Sequence, residues 1–351
     1  MKTSHSYTGK TLFVGVDVHK KTYSVAVYCE GELVKRDSMI AKPKQLIAYL
    51  RKYFPEAHIK SAYEAGFCGL HLHRAFLEAG IESIVVHAAS IEINSRDRVK
   101  TDKRDALKIA VQLSVGRLKG IHIPSKKRED YREISRLRDD LVKQRNRISV
   151  KLKHKANYHG LIGPEDVKKV SKKWIEDLEQ KKLADGLRYH IEALVEQWRF
   201  FDNKIAEVSK RIEDQGKEDV AYERVYRSVK GIGPTAARVL ANELEDMSHF
   251  SSERALFSYT GLTPSEYSSG EHRRQGHISR QGKPILRKTL VQCAWVAIRY
   301  DSSLRDVYDR IAQRAGGKRA IVAVARRLVG RVRACFRTET LYQTNLAKEV
   351  A

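Results

Sequence analysis

A chain of 351 residues with 67 lysines and arginines against 43 aspartates and glutamates, a formal charge of +24 and an isoelectric point near 9.8, is suited to a polyanionic partner. Hydrophobic residues at 42% support a sizeable core, and no apolar run or N-terminal leader directs the chain into a membrane; the charge comes without a lipidation signal. The four cysteines (Cys29, Cys68, Cys293, Cys335) are scattered with no CxxC pair, which argues against a zinc site or disulfide framework and for a reducing, cytoplasmic compartment.

Leu12–Val18 is a short β-branched run that predicts a strand ending near Asp17. Thr22–Tyr28 and Glu32–Ile40 follow at hairpin distance, with Gly31 marking the second turn. Pro43–Tyr53 has helical spacing, Ile59–Tyr63 predicts a fourth strand with Glu64 directly after it, Phe67–Ala79 a helix stopped by Gly80, and Ile81–His87 a fifth strand. The order βββαβαβ is that of a ribonuclease H-like α/β sheet, three antiparallel strands and then parallel ones. Open α/β sheets place their sites at strand carboxyl ends, where Asp17 and Glu64 fall. Asp102 and Asp105, three apart at the start of a helix, share a face. One aspartate at a helix start is ordinary capping, but four converging acids could hold two divalent metals, which clamp the attacking and leaving oxygens of a phosphodiester. His19, His71, His73 and His87 show no ligand pattern of their own and are assigned to surface or structure.

From about residue 125 the composition shifts. Arg117–Lys155 holds fourteen lysines and arginines and five acids, and Ile134, Leu137, Leu141, Gln144 and Ile148 follow 3-4 spacing. After a break near Gly160–Pro164, Leu187, Ile191, Leu194, Trp198, Phe201, Ile205, Val208 and Ile212 continue it through eight consecutive heptad positions. The seam predicts a coiled coil, paired either within the chain or between copies. Its large aromatics favour a dimerisation element whose outward basic residues are free for phosphates.

In Val225–Leu240 the GIGPTAA segment is helix-hairpin-helix-like. There Gly231 and Gly233 would let backbone N–H groups approach a phosphate. Ser251–Tyr259 predicts a helix capped by Ser251 or Ser252. A stretch follows with two serines, Ser268 and Ser269, the turn glycine Gly270, and then Arg273, Arg274, Arg280 and Arg287. Read alone this is a polar turn, although arginines suit a phosphate. Pro284–Tyr300 and Ser303–Ala315 predict helices, and Gly316-Gly317 precedes a last one, Arg319–Phe336. Ala315–Thr338 carries seven basic residues and no acid, which assigns Arg326, Arg327 and Arg331 to a phosphate-binding face.

Taken together, FVGVDVHK, YEAGFCG, KTDKRDA, GIGPTAA, YTGLTPSEYSSG and HISRQGKPILRK make nearly the whole chain resemble bacterial insertion-sequence transposases of the DEDD type. That family pairs a Holliday-junction-resolvase-like (RuvC-type) domain with a C-terminal serine transposase domain, and some members are guided by a bridge RNA. The resemblance implies that Asp17, Glu64, Asp102 and Asp105 are a magnesium-binding tetrad. It implies that Ser269, next to Ser268, is a nucleophile forming a covalent phosphoserine link to DNA, in a dimer or tetramer. The expected organisation is α/β plus all-α: an RNase H-like domain over 1–124, a coiled coil over 125–218 and a helical serine domain over 219–351. Two other readings stand beside it: a metal-dependent nuclease or junction resolvase in which the serines are structural, and a non-catalytic nucleic-acid-binding scaffold.

Overall fold

The computed structural model describes residues 7–92, 102–163, 169–266, 275–279 and 281–344. The chain divides into two units, Met1–Ile123 and Pro124–Ala351. In the first, β1 (Thr11–Val18), β2 (Thr22–Cys29), β3 (Glu32–Ile40), β4 (His58–Glu64) and β5 (Glu82–Val86) form one sheet in the order β3-β2-β1-β4-β5. β1, β2 and β3 pair antiparallel, and β1, β4 and β5 pair parallel. This mixed sheet has the strand order that the sequence predicts.

Alternation along β1 decides what covers each face. Leu12, Val14 and Val16 lie fully buried on one side, in a cluster with Leu46 and Leu50 of α1 (Pro43–Tyr53) and Leu72 and Phe76 of α2 (His71–Glu78). α2 begins at His71 rather than at the predicted Phe67, after Gly69 takes a positive φ of 60° that interrupts the helical backbone. On the other side Gly15 is registered with Ala26 of β2 and with Ala62 of β4, a row of minimal side chains across three strands. α3 (Asp102–Ser114) lies over that row, with Ala106 and Ala110 packed against Ala26. A Cβ on Gly15 would stand 2.0 Å from the Ala106 carbonyl oxygen and 2.5 Å from the Ala110 nitrogen, so glycine is required for so close an approach.

The second unit starts with two long helices, α4 (Lys126–Tyr158) and α6 (Asp185–Glu218), with α5 (Lys172–Glu179) between them in sequence. Trp198 Nε1 donates to Ser149 Oγ at 3.0 Å, Arg138 Nε donates to Ser209 Oγ at 2.8 Å, and Arg145 pairs with Asp202. These contacts make α4 and α6 an antiparallel hairpin. Ile191, Leu194 and Trp198 of α6 pack with Ile148, Leu152 and Ala156 of α4 and Trp174, Ile175 and Leu178 of α5. The heptad seam is therefore filled within one chain, which corrects its assignment as the surface that joins two copies. The α4 side is also rotated from the expected line: Leu137 is 46% exposed and Gln144 is exposed, while Tyr131, Ser135, Ile148 and Leu152 are buried. Serine and arginine take seam positions there by bonding across it, and an apolar count does not register them.

The remaining helices, α7 (Val220–Arg227), α8 (Pro234–Leu244), α9 (Glu253–Thr260), α10 (Pro284–Ala297), α11 (Ser302–Ala315) and α12 (Gly317–Arg337), share a core that includes Leu240, Leu244, Leu286, Leu290 and Leu328. Ser252 caps α9 by accepting from the Ala255 amide. A short antiparallel pair, β6 (Pro264–Glu266) and β7 (Gln275–Ile278), precedes α10. α8 packs on both α4 and α6, so the long helices and the C-terminal helices form one unit where the sequence suggested two. Charge holds this junction. Arg128 and the fully buried Arg238 both donate to Asp219 at 2.7 Å, Arg238 also donates to Glu223 at 2.6 Å, and Asn242 donates to Ser135 Oγ at 2.7 Å.

Candidate active site

Asp17 lies one residue before the end of β1, on the same face as Gly15. α3, seated over Gly15, starts with Asp102, so the packing that needs glycine also delivers the Asp102 carboxylate to the strand end. His19 joins them: its Nε2 is 3.0 Å from Asp17 Oδ2 and 3.2 Å from Asp102 Oδ2. Ligand atoms of Asp17, His19 and Asp102 all lie within 4.8 Å of one another. Burial raises the Asp17 pKa above its ordinary range and His19 opposes that, while the nearby charges of Asp102 and Asp105 push it further up. Asp105 stands 3.8 Å from Lys108. Glu64 ends β4, following Tyr63, the residue registered with Val16; its side chain is exposed and is not in the close cluster.

Two carboxylates and an imidazole are a donor set that fits a divalent cation. Oxygen ligands suit magnesium and manganese, and a nitrogen ligand favours transition metals over magnesium. Asp17, Asp102 and His19 would hold such an ion, with Asp105 and Glu64 at the margin. His19 is the residue that sequence reading assigned to surface or structure. His19 directly follows β1, and its approach to the cluster depends on α3 packing down on Gly15, so no local pattern marks it.

Ser268, Ser269, Gly270, Arg273, Arg274 and Arg280 lie outside the described residues. Arg287 is described, and it lines a groove of about 780 Å³ between α4 and the start of α10, together with Arg136, Lys283, Lys288, Asp139 and Glu243. Most of this charge is internally matched: Glu243 pairs with Arg136 and Lys283, and Asp139 with Lys288. Gly231 (φ 124°) lies close against a helix: a Cβ there would stand 2.9 Å from Ala297 N and 3.0 Å from Cys293 O of α10. This packing by itself explains the glycine. Gly233 is the N-cap of α8, with open space around it.

The basic face of α12 divides. Arg331 donates to Asp301 and Tyr342 at 3.0 Å each and to Ser303 at 2.7 Å, so it is a structural cation and not a phosphate ligand. The Arg326 guanidinium sits 4.8 Å from the Phe257 ring centroid, and burial lowers its pKa against the opposing charge of Glu253. Arg327 is exposed. Arg327→Ala is therefore expected to lower the slope of log affinity against log salt on duplex DNA by up to about 0.9. Arg331→Ala is expected to destabilise the fold by about 3 kcal/mol, because Asp301 is only 3% exposed and loses its cation. Salt titrations and urea melts of both proteins check this. A flattened slope at unchanged stability in Arg331→Ala would contradict the division.

The first unit is thus an α/β sheet that presents an acid-and-imidazole cluster at its strand ends, and sequence comparison gives the family. Residues 14–156 match the DEDD transposase domain of the IS110 type, and residues 223–309 match the transposase IS116/IS110/IS902 family. Transposase y4rJ of Sinorhizobium fredii is 30% identical over 79% of this chain and 76% of its own length. Transposase y4qE of the same organism is 28% identical over 97% and 86% respectively. The transposase for insertion sequence element IS1533 of Leptospira borgpetersenii is 25% identical over 93% and 96%. Among solved structures, Thermus thermophilus RuvC aligns over 31% of this chain and 99% of its own, at 14% identity and a TM-score of 0.25. The chain belongs to the IS116/IS110/IS902 family of transposases, and it is an enzyme. No helix among the described residues is long and apolar enough to cross a membrane.

Proposed function

We propose that this transposase cuts and rejoins DNA to move its own insertion sequence, through a phosphoserine link made by Ser269, with Asp17, Glu64, Asp102 and Asp105 as a tetrad that binds divalent metal. The convergence of Asp17, His19 and Asp102 carries this reading, because it is a divalent-ion donor set in a chain of this family. The Ser269 hydroxyl attacks phosphorus; its Oγ–P bond forms as one P–O bond of the DNA strand breaks, and the leaving DNA oxygen takes up a proton. Attack by the hydroxyl of another strand reverses the exchange and frees the serine. One phosphodiester is held throughout, so joining requires no ATP, and the sequence has no GxxxxGK[ST] loop. A metal bound by the tetrad would supply charge stabilisation to the phosphoryl oxygens. A homodimer or homotetramer, a bridge RNA encoded beside the gene and a cytoplasmic, nucleoid-associated location complete the proposal.

The test uses DNA carrying the gene's own flanks, with and without RNA transcribed from them. Ser269→Ala is expected to retain DNA binding and lose covalent protein–DNA adducts, and Asp17→Asn to lose cleavage. Adducts persisting in Ser269→Ala but lost in Ser268→Ala would move the nucleophile by one residue. Cleavage that needs Asp17 but neither serine would replace the reading with a metal-dependent nuclease, and no strand breakage at all would leave the scaffold.

A further inference from the structure

One face of α4 takes no part in holding the fold. From Leu141 to Pro164 the chain has six lysines and arginines and no aspartate or glutamate. Arg147, Lys151, His154 and Tyr158 follow one another at steps of four, three and four, so they stand in a row along one side of the helix. All four are exposed, opposite the buried line of Ile148, Leu152 and Ala156. Among the described residues none of the four side chains has an ion-pair or hydrogen-bond partner. The contrast with the rest of the hairpin is sharp, because Lys143 is held by Asp139 and Asp140, Arg145 by Asp202, and Arg199 by Glu179.

The row spans about 16 Å, and its far end is aromatic. Tyr158 is 77% exposed and touches the His159 ring edge-on, with centroids 5.0 Å apart. A phenol has nothing to offer a phosphate beyond one hydroxyl, but its face stacks on a base, and only an unpaired base presents a free face. The hairpin register of Ser149 with Trp198 and Arg145 with Asp202 brings Tyr189, also 77% exposed, level with Tyr158 on α6. From cationic row and terminal ring we infer that this face of α4 holds a single strand of DNA, its phosphates along Arg147 and Lys151 and one unpaired base on Tyr158. The inference rests on the reading that this transposase acts on DNA, and it adds where an opened strand is carried.

The full-length protein in EDTA, titrated by fluorescence anisotropy with oligothymidylate of about 16 nucleotides and with duplex DNA, tests it. Tyr158→Ala is expected to weaken oligothymidylate binding about tenfold and leave duplex binding unchanged, while Tyr158→Phe behaves as the parent. Removing Arg147 and Lys151 together is expected to flatten the single-strand salt slope by about 1.4. A protein lacking Lys318 and Arg319, two exposed cations on α12, is expected to keep the parent slope. Equal losses on duplex and single strand in Tyr158→Ala, an equal slope change in the α12 control, or binding of oligouridylate with none of oligothymidylate would each overturn the inference. Adducts are not read, so failure of the serine chemistry and failure of this site are separately visible.

Discussion

Gly15→Val is expected to abolish metal-dependent DNA cleavage and to destabilise the first unit by about 3 kcal/mol or more. The reason is the identity of what a side chain would strike. The first atom met is backbone, the Ala106 carbonyl oxygen at 2.0 Å from a bare Cβ, so no rotamer change relieves the clash and α3 must lift off the sheet. Asp102 is the first residue of α3, and lifting the helix separates it from Asp17 and His19. Manganese titration calorimetry and thermal melts read the two effects separately from activity. Gly66→Ala, where a Cβ meets nothing within 4 Å, is the matched control and is expected to melt like the parent. Parent-like manganese affinity and melting in Gly15→Val would show that α3 does not depend on this contact.

Glu243→Gln is expected to cost about 3–5 kcal/mol of stability in the second unit. Glu243 is fully buried in α8 between Arg136 of α4 and Lys283 at the start of α10. Burial acts against its charge, but Lys283 and Arg136 outweigh it and hold the carboxyl below its usual range. A folded-state pKa below the unfolded one gives stability that is complete above the unfolded value, near 4.3, and is lost as pH falls through the depressed folded value. The amide removes that linkage and leaves two cations facing a neutral group. Urea unfolding from neutral pH down into the acid range checks both parts. The parent should lose stability on acidification more steeply than Glu243→Gln, and a variant within 1 kcal/mol of the parent at neutral pH with the same pH slope would refute the account.

Much of the first unit is legible because two-residue alternation and turn glycines act locally. Glu32–Ile40 and Pro43–Tyr53 are found at the residues that the sequence predicts. The acids at the strand ends were equally legible, since chain direction in a parallel sheet fixes where they fall. His19 was not, because its role depends on α3 coming down on Gly15, a contact between residues some ninety positions apart. In the second unit the heptad seam was visible but its partner was not. Trp198 bonds to Ser149 and Arg145 to Asp202, polar choices that look like surface in a linear reading. Arg331 failed for a related reason, since a run of seven cations hides the one whose acid, Asp301, lies thirty residues earlier.

The α4–α6 hairpin, locked at its root by Arg128, Arg238 and Asp219, also has a reach. From Arg128 to Tyr158 the helix extends about 45 Å, the rise of some thirteen base-pair steps. A continuous helix anchored by buried charge does not shorten or fold back under load. The far end of the hairpin is therefore held at a set distance from the α8–α10 body, and the number of its helical turns fixes that distance.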